Sequence, residues 1–197
     1  LLTILSFIIY IFLIKFNQKN SKKFFLLYLS YFLINLIGLI NNIFFAIVIL
    51  SQFLYTFNYI DIKSKFKLLL TNYVLVGSFF LILMFPLLKD NLSTNEFWIS
   101  QVDFNFFISF FFPRFFGSKI MGYLYLFILI YLILKSNNII KKNSIYFPLF
   151  MLLILSYFLP LIYSFIKIPI LIDRYIIFVL VPIILLISII TFKQTTK

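Results

Sequence analysis

The side chains able to do chemistry in this sequence are few and gather in two places. Residues 92–103 carry the sole tryptophan, Trp98, with Glu96 and Asp103 close by, and residues 173–175 read Asp-Arg-Tyr at the mouth of the last apolar run. Arg114 and Lys119 lie between these stretches. Arg174 has the planar fork that holds a phosphate through paired hydrogen bonds; the alternative is a snorkelling arginine paired with Asp173 or with lipid headgroups. Trp98 is either an interfacial anchor in a solvated loop or a platform on which a sugar stacks while the neighbouring carboxylates bond its hydroxyls. Glu96 and Asp103 stand seven residues apart in a loop, a spacing that fixes no distance and so defines no general acid/base pair. The absence of His and Cys excludes a His/Cys zinc site, a thiol nucleophile, a Ser-His-Asp triad and a disulfide framework within this chain. No cofactor is visible, no metal ligand set is present, and no Walker loop, Gly-x-Gly-x-x-Gly or His-Glu-x-x-His motif occurs.

The elements that must position these groups are set by composition. Of 197 residues, 64% are hydrophobic and 11% charged, with a mean hydropathy of +1.14, which is incompatible with an ordinary water-soluble domain. Apolar runs at residues 1–14, 24–39, 43–60, 66–88, 120–134, 145–166 and 175–192 predict about seven transmembrane helices. The stretch 24–60 holds no ionised group and as one helix would reach about 55 Å, well beyond a hydrocarbon core of about 30 Å. It is therefore expected to break at Gly38-Leu39-Ile40-Asn41-Asn42 into a hairpin. Residues 104–116 are apolar but short and contain Pro113 and Arg114, and they read as an interfacial or re-entrant helix. Pro182 is expected to bend the final span. Asn35, Gln52, Thr71, Asn72, Ser78 and Ser156 fall inside spans and are expected to serve interhelical hydrogen bonds.

The net charge of +12 invites comparison with nucleic-acid binders, but its distribution excludes that class. Alternate loops place Lys15, Lys19, Lys22, Lys23, Lys63, Lys65, Lys67, Lys135, Lys141, Lys142, Lys193 and Lys197 on one side with Asp61 as the sole acid. Lys89, Arg114, Lys119, Lys167 and Arg174 fall on the other, with the remaining four acids. This is the signature of cytoplasmic loops enriched in Lys and Arg, with no basic stripe of the kind nucleic acid requires. The expected protein is an all-α integral membrane chain, residues 1–197 forming one polytopic domain, with its N-terminus outside, its C-terminus cytoplasmic and an extracytoplasmic loop over 89–119. No ionisable group sits near the centre of a span, which argues against a proton-coupled transporter. The start at Leu1-Leu2-Thr3 inside an apolar run suggests the C-terminal part of a longer chain.

Three motifs carry a family resemblance. Arg174-Tyr175 followed by apolar residues and Pro182 resembles the ending of polytopic GT-C class glycosyltransferases, nearest to glycosyltransferase family 39, the protein-mannosyltransferase-like and aminoarabinose-transferase-like enzymes. Asn42-Ile43-Phe44-Phe45 through Gln52-Phe53-Leu54-Tyr55 is similar to a family helix that ends in Gln and Tyr, and Phe97-Trp98-Ile99 resembles its Trp-Ile stretch after an outside loop. Their order agrees over most of residues 24–192. Where members carry Thr-His-Tyr and prolines after Trp-Ile, this chain has Asn41-Asn42 and Ser100-Gln101-Val102, so the resemblance assigns those positions no role. The family's acidic catalytic residue has no counterpart here, so the resemblance implies that it is expected upstream of residue 1 and that the fragment alone is expected to be inactive.

The resemblance implies transfer of a sugar from a polyprenyl-phosphate-linked donor to an acceptor on the extracytoplasmic face of a bilayer, such as a bacterial inner membrane. Arg174 would contact the donor phosphate, with Arg114 or Lys119 as a second cation and Tyr175 as a hydrogen-bond donor. Trp98, Glu96 and Asp103 would meet the sugar or acceptor. Other enzymes of lipid-linked glycans (a polymerase, a ligase), a flippase, and a multi-pass transporter or structural membrane subunit are the competing readings.

Overall fold

The computed structural model describes residues 1–15, 21–58, 63–91, 117–135, 147–166 and 179–195. Among the described residues the secondary structure is helical throughout, with seven α-helices: α1 Leu2–Lys15, α2 Ser21–Asn41, α3 Phe45–Asn58, α4 Lys63–Asn91, α5 Lys119–Lys135, α6 Phe147–Ile166 and α7 Leu180–Thr195. The chain divides into two compact units, Leu1–Asn95 and Glu96–Lys197.

Each of the seven long apolar runs overlaps a described helix, but length separates them. The stretches Lys22–Asn41, Phe66–Leu83 and Phe147–Ile166 are long and apolar enough to cross a membrane. The apolar stretches Leu2–Lys15, Phe45–Phe57, Lys119–Tyr131 and Leu180–Ile189 have 10–17 residues, below the roughly 20 that a full span needs. The structure thus supports three spanning helices; the expected count of seven is not supported. The expected interfacial helix at 104–116 lies outside the described residues.

The break between α2 and α3 falls where the glycine and asparagines predict it. Asn42 N–H makes the last helical bond, to Gly38 O at 2.9 Å. The Asn42 side-chain oxygen then accepts from Phe44 N–H at 3.0 Å, and Phe45 N–H donates to Asn42 O at 2.8 Å. One asparagine therefore satisfies orphan donors at the start of α3 with both its oxygens. Gly38 is required by packing: a Cβ there would lie 2.6 Å from the Phe45 ring, which is itself buried.

Cross-helix pairs set the topology of the first unit. Ser6 meets Asn35 and Tyr10 meets Tyr31: as α1 advances four residues α2 retreats four, so the pair is antiparallel. Ser6 meets Gln52 and Tyr10 meets Thr56, both 46 positions apart, so α1 and α3 are parallel. Tyr28 meets Thr71 and Tyr31 meets Tyr73, which makes α2 and α4 parallel, and Phe53–Tyr73 with Phe57–Phe66 makes α3 and α4 antiparallel. The unit is an up-down-up-down bundle in which α2 and α3 each pack against the other three helices. In the second unit, α7 packs against both α5 and α6, burying Leu129, Leu152, Ile183 and Leu186.

Polarity in the first unit is inverted relative to a water-facing bundle. The buried stripe of α1 is Thr3, Ser6, Phe7, Tyr10 and Leu13, and that of α3 includes Ser51, Gln52, Tyr55 and Thr56. Outward faces carry Phe25, Leu29, Leu33 and Ile37 on α2, and Val74, Leu81 and Ile82 on α4, the last 72% exposed. The outward hydroxyls are closed on their own helix: Thr71 donates to Leu68 O at 2.7 Å and Ser78 to Leu75 O at 3.0 Å, as an apolar solvent demands.

Pro182 differs from its expected role. It occupies the first turn of α7, where a missing N–H costs no ladder bond, so it does not bend that helix. The internal proline is Pro160 of α6, which removes the bond that would end on Ser156 O. Ser156 meanwhile donates to Leu152 O within the same helix, so its hydroxyl serves the backbone of α6 and not an interhelical bond.

Candidate functional site

The densest polar constellation among the described residues is built on Gln52. Its Nε2 donates to Ser6 Oγ at 3.0 Å, and Ser6 Oγ donates to Asn35 Oδ1 at 2.7 Å. Its Oε1 accepts the Tyr31 hydroxyl in a short hydrogen bond. The same Tyr31 hydroxyl also points to the Tyr73 hydroxyl oxygen, which accepts from it at 3.2 Å. The Gln52 carbonyl accepts from the Tyr10 hydroxyl at 2.9 Å and from Thr56 Oγ1 at 2.8 Å, and those two hydroxyls lie 2.6 Å apart. The Gln52 side chain, 0% exposed, thus ties α3 to α1 and α2 directly, and Tyr31 carries the network on to Tyr73 of α4.

Aromatic rings enclose the cluster. Tyr10 stacks on Tyr31 at 6.0 Å between centroids, Tyr73 meets Tyr31 edge-on at 6.2 Å, and Phe53 meets Tyr73 at 5.7 Å. These geometries are favourable for aromatic pairs, and they hold the hydroxyls in fixed directions. The hydrogen-bonding groups are hydroxyls and carboxamides, all neutral at physiological pH. The cluster offers donors and acceptors to neutral polar groups; it contains no carboxylate, ammonium or guanidinium to act as a base or to hold an anion. Among the described residues, Asn72 adds a buried carboxamide on α4 whose oxygen and nitrogen both lack a hydrogen-bond partner, and the nitrogen of Asn35 lacks one too.

Of the predicted intramembrane polar residues, Asn35 and Gln52 make the expected interhelical hydrogen bonds. Asn72 is buried without one, and Thr71 reaches Tyr28 weakly, at 3.4 Å. Ser6, Tyr10, Tyr31, Thr56 and Tyr73 were not marked by the sequence reading. The signal that could have found them is spacing: Thr3, Ser6 and Tyr10 recur at helical intervals on α1, as do Ser51, Gln52, Tyr55 and Thr56 on α3, once tyrosine is counted as a hydrogen-bonding residue instead of an apolar one.

The predicted donor-site residues are placed as follows. Arg174, Tyr175, Arg114, Trp98, Glu96 and Asp103 lie outside the described residues. Lys119 is the first residue of α5 and is exposed. Gly117 precedes it with φ 78°, a left-handed conformation suited to glycine, and Ser118 Oγ accepts from Met121 N–H at 3.2 Å as a helix cap. Among the described residues no group of three or more His, Cys, Asp or Glu could hold a metal ion. No protein-family model matches the chain, and no curated protein or solved structure matches it either.

Proposed function

We propose that this chain is part of an integral membrane glycosyltransferase that moves a sugar from a polyprenyl-phosphate-linked donor to an acceptor on the extracytoplasmic face. The observation that carries the reading is the shared order of three motifs: the helix of Asn42 to Tyr55, then Phe97-Trp98-Ile99, then Arg174-Tyr175 with Pro182. Two structural features support it. The Gln52 of the first motif is the centre of the buried cluster, which gives a reason for a glutamine at that position. The three long apolar helices and the outward apolar faces suit a bilayer. On this reading all seven helices lie within the membrane.

The chemistry is an inverting displacement. A carboxylate takes the proton of the acceptor hydroxyl, the sugar transfers, and the phosphate leaves against cationic groups. Arg174 contacts that phosphate, Tyr175 donates to it, and Trp98, Glu96 and Asp103 meet the sugar or acceptor. Lys119 joins its ammonium to the positive end of the α5 dipole in a first turn without an acidic residue, a favourable surrounding for an anion. The test is sugar transfer by the full-length protein in proteoliposomes. Arg174→Ala should reduce turnover at least about a hundredfold, the scale of losing one charge-stabilising group, while Lys141→Ala should leave it unchanged; full activity of the Arg174 variant overturns the assignment.

A further inference from the structure

The lysines of the first unit, separate in sequence, fall at one level of the bundle. Lys22 and Lys23 open α2. In the parallel α2–α4 pair Tyr28 is level with Thr71, which sets Lys67 level with Phe24 and Lys65 level with Lys22. In the antiparallel α1–α2 pair Tyr10 is level with Tyr31, which sets Lys15 level with Leu26. Lys15, Lys22, Lys23, Lys63, Lys65 and Lys67 thus occupy a slab about 9 Å deep at 1.5 Å per residue, close to the thickness of one headgroup layer. The side chains of Lys15, Lys22, Lys23 and Lys67 are exposed. Among the described residues of this unit the one acid is Asp90, near the far end of α4; in the sequence Asp61 precedes Lys63, so lysines outnumber acids in this part of the chain by a wide margin. Directly beyond it the outward faces are apolar: Phe25, Leu26 and Leu29 on α2, Leu70, Val74 and Leu75 on α4.

The geometry points to a docking surface for anionic phospholipid: the lysine slab of α1, α2 and α4 seats against acidic headgroups while the adjoining apolar faces receive the acyl chains. Lysines at such a surface each add to the attraction for an acidic leaflet within about a Debye length, and an inorganic anion would satisfy the ammonium groups alone. A headgroup with its two chains satisfies both surfaces. The inference rests on the membrane-embedded part of the proposed function and is independent of glycosyl transfer, because its readout is lipid binding.

The experiment titrates fluorescently labelled phosphatidylglycerol, and separately phosphatidylcholine, into the whole chain purified in a neutral detergent. Phosphatidylglycerol should bind at least about fivefold tighter, and the preference should fall sharply in 0.5 M salt as exposed charges are screened. In the triple variant Lys22→Gln/Lys23→Gln/Lys67→Gln the preference should vanish with helix content unchanged by circular dichroism, since all three side chains are exposed. Equal affinity for the two lipids, an undiminished preference in the triple variant, or full displacement by millimolar inorganic phosphate would each overturn the proposal. Lipid selectivity without sugar transfer by the full-length enzyme would leave this surface standing and remove the glycosyltransferase reading.

Discussion

Gln52 shows how one residue can join three helices and, through Tyr31, reach a fourth. In an apolar surrounding its amide hydrogen bonds have no water to replace them, so the geometry in which Ser6, Tyr31, Tyr10 and Thr56 all find partners is favoured over slipped alternatives. The net value of each such bond is modest, about 0.6 kcal/mol on average within membranes, but Gln52→Leu strips partners from two hydroxyls at once. That substitution should destabilise the first unit by about 1–2 kcal/mol, read as an earlier midpoint in an unfolding titration from mild detergent into dodecyl sulfate. Asn72 should behave in the opposite way. Its carboxamide is buried with neither atom partnered among the described residues, so Asn72→Leu, which removes both polar atoms at similar volume, should raise stability by about 1–3 kcal/mol; a lower midpoint would mean that the amide is satisfied in the working protein.

At the scale of elements, the α2–α3 hairpin rests on two residues with different jobs. Asn42 closes the turn through hydrogen bonds, whereas Gly38 admits the Phe45 ring into the space a side chain would occupy. Gly38→Ala should therefore cost about 1–3 kcal/mol by overpacking. Adding Phe45→Leu should recover part of that loss, and a double-mutant cycle on unfolding free energies measures the coupling; additive effects would show that the ring is not the obstruction. The position of this hairpin is legible in the sequence because glycine and asparagine are local punctuation. The bend expected at Pro182 was not, because a proline in a first turn and one in a helix interior look alike until the helix start is known, and α7 begins at Leu180.

For the whole molecule, the ends of the helices carry the topological information. On α4 the next ionised residue after Lys67 is Lys89, about 33 Å further along the axis, close to the hydrocarbon thickness of about 30 Å. The hairpin at Asn41 lies at the end of α2 opposite the lysine slab, and enrichment of cytoplasmic loops in lysine then predicts Asn41 outside and Ser64 inside. Because the sequence has no cysteine, Asn41→Cys and Ser64→Cys can each be probed alone with a membrane-impermeant maleimide on intact cells. Asn41→Cys should label and Ser64→Cys should label after permeabilisation alone; the reverse pattern inverts the topology.

By itself the sequence determined where the helices lie, where α2 stops and which ends are basic. These follow from hydropathy, charge and turn chemistry, which act over a few neighbouring residues and can be read along one dimension. The positions of Asn35 and Gln52 within apolar helices could also be read, since a carboxamide in an apolar run stands out. The tertiary structure alone decided what they meet. Tyr10 and Thr56 are 46 positions apart and become partners only when α1 and α3 run parallel in one register, with α2 supplying Tyr31 and Asn35 from an antiparallel path. That register comes from packing and hydrogen-bond satisfaction across four helices at once, a condition no local stretch of sequence contains.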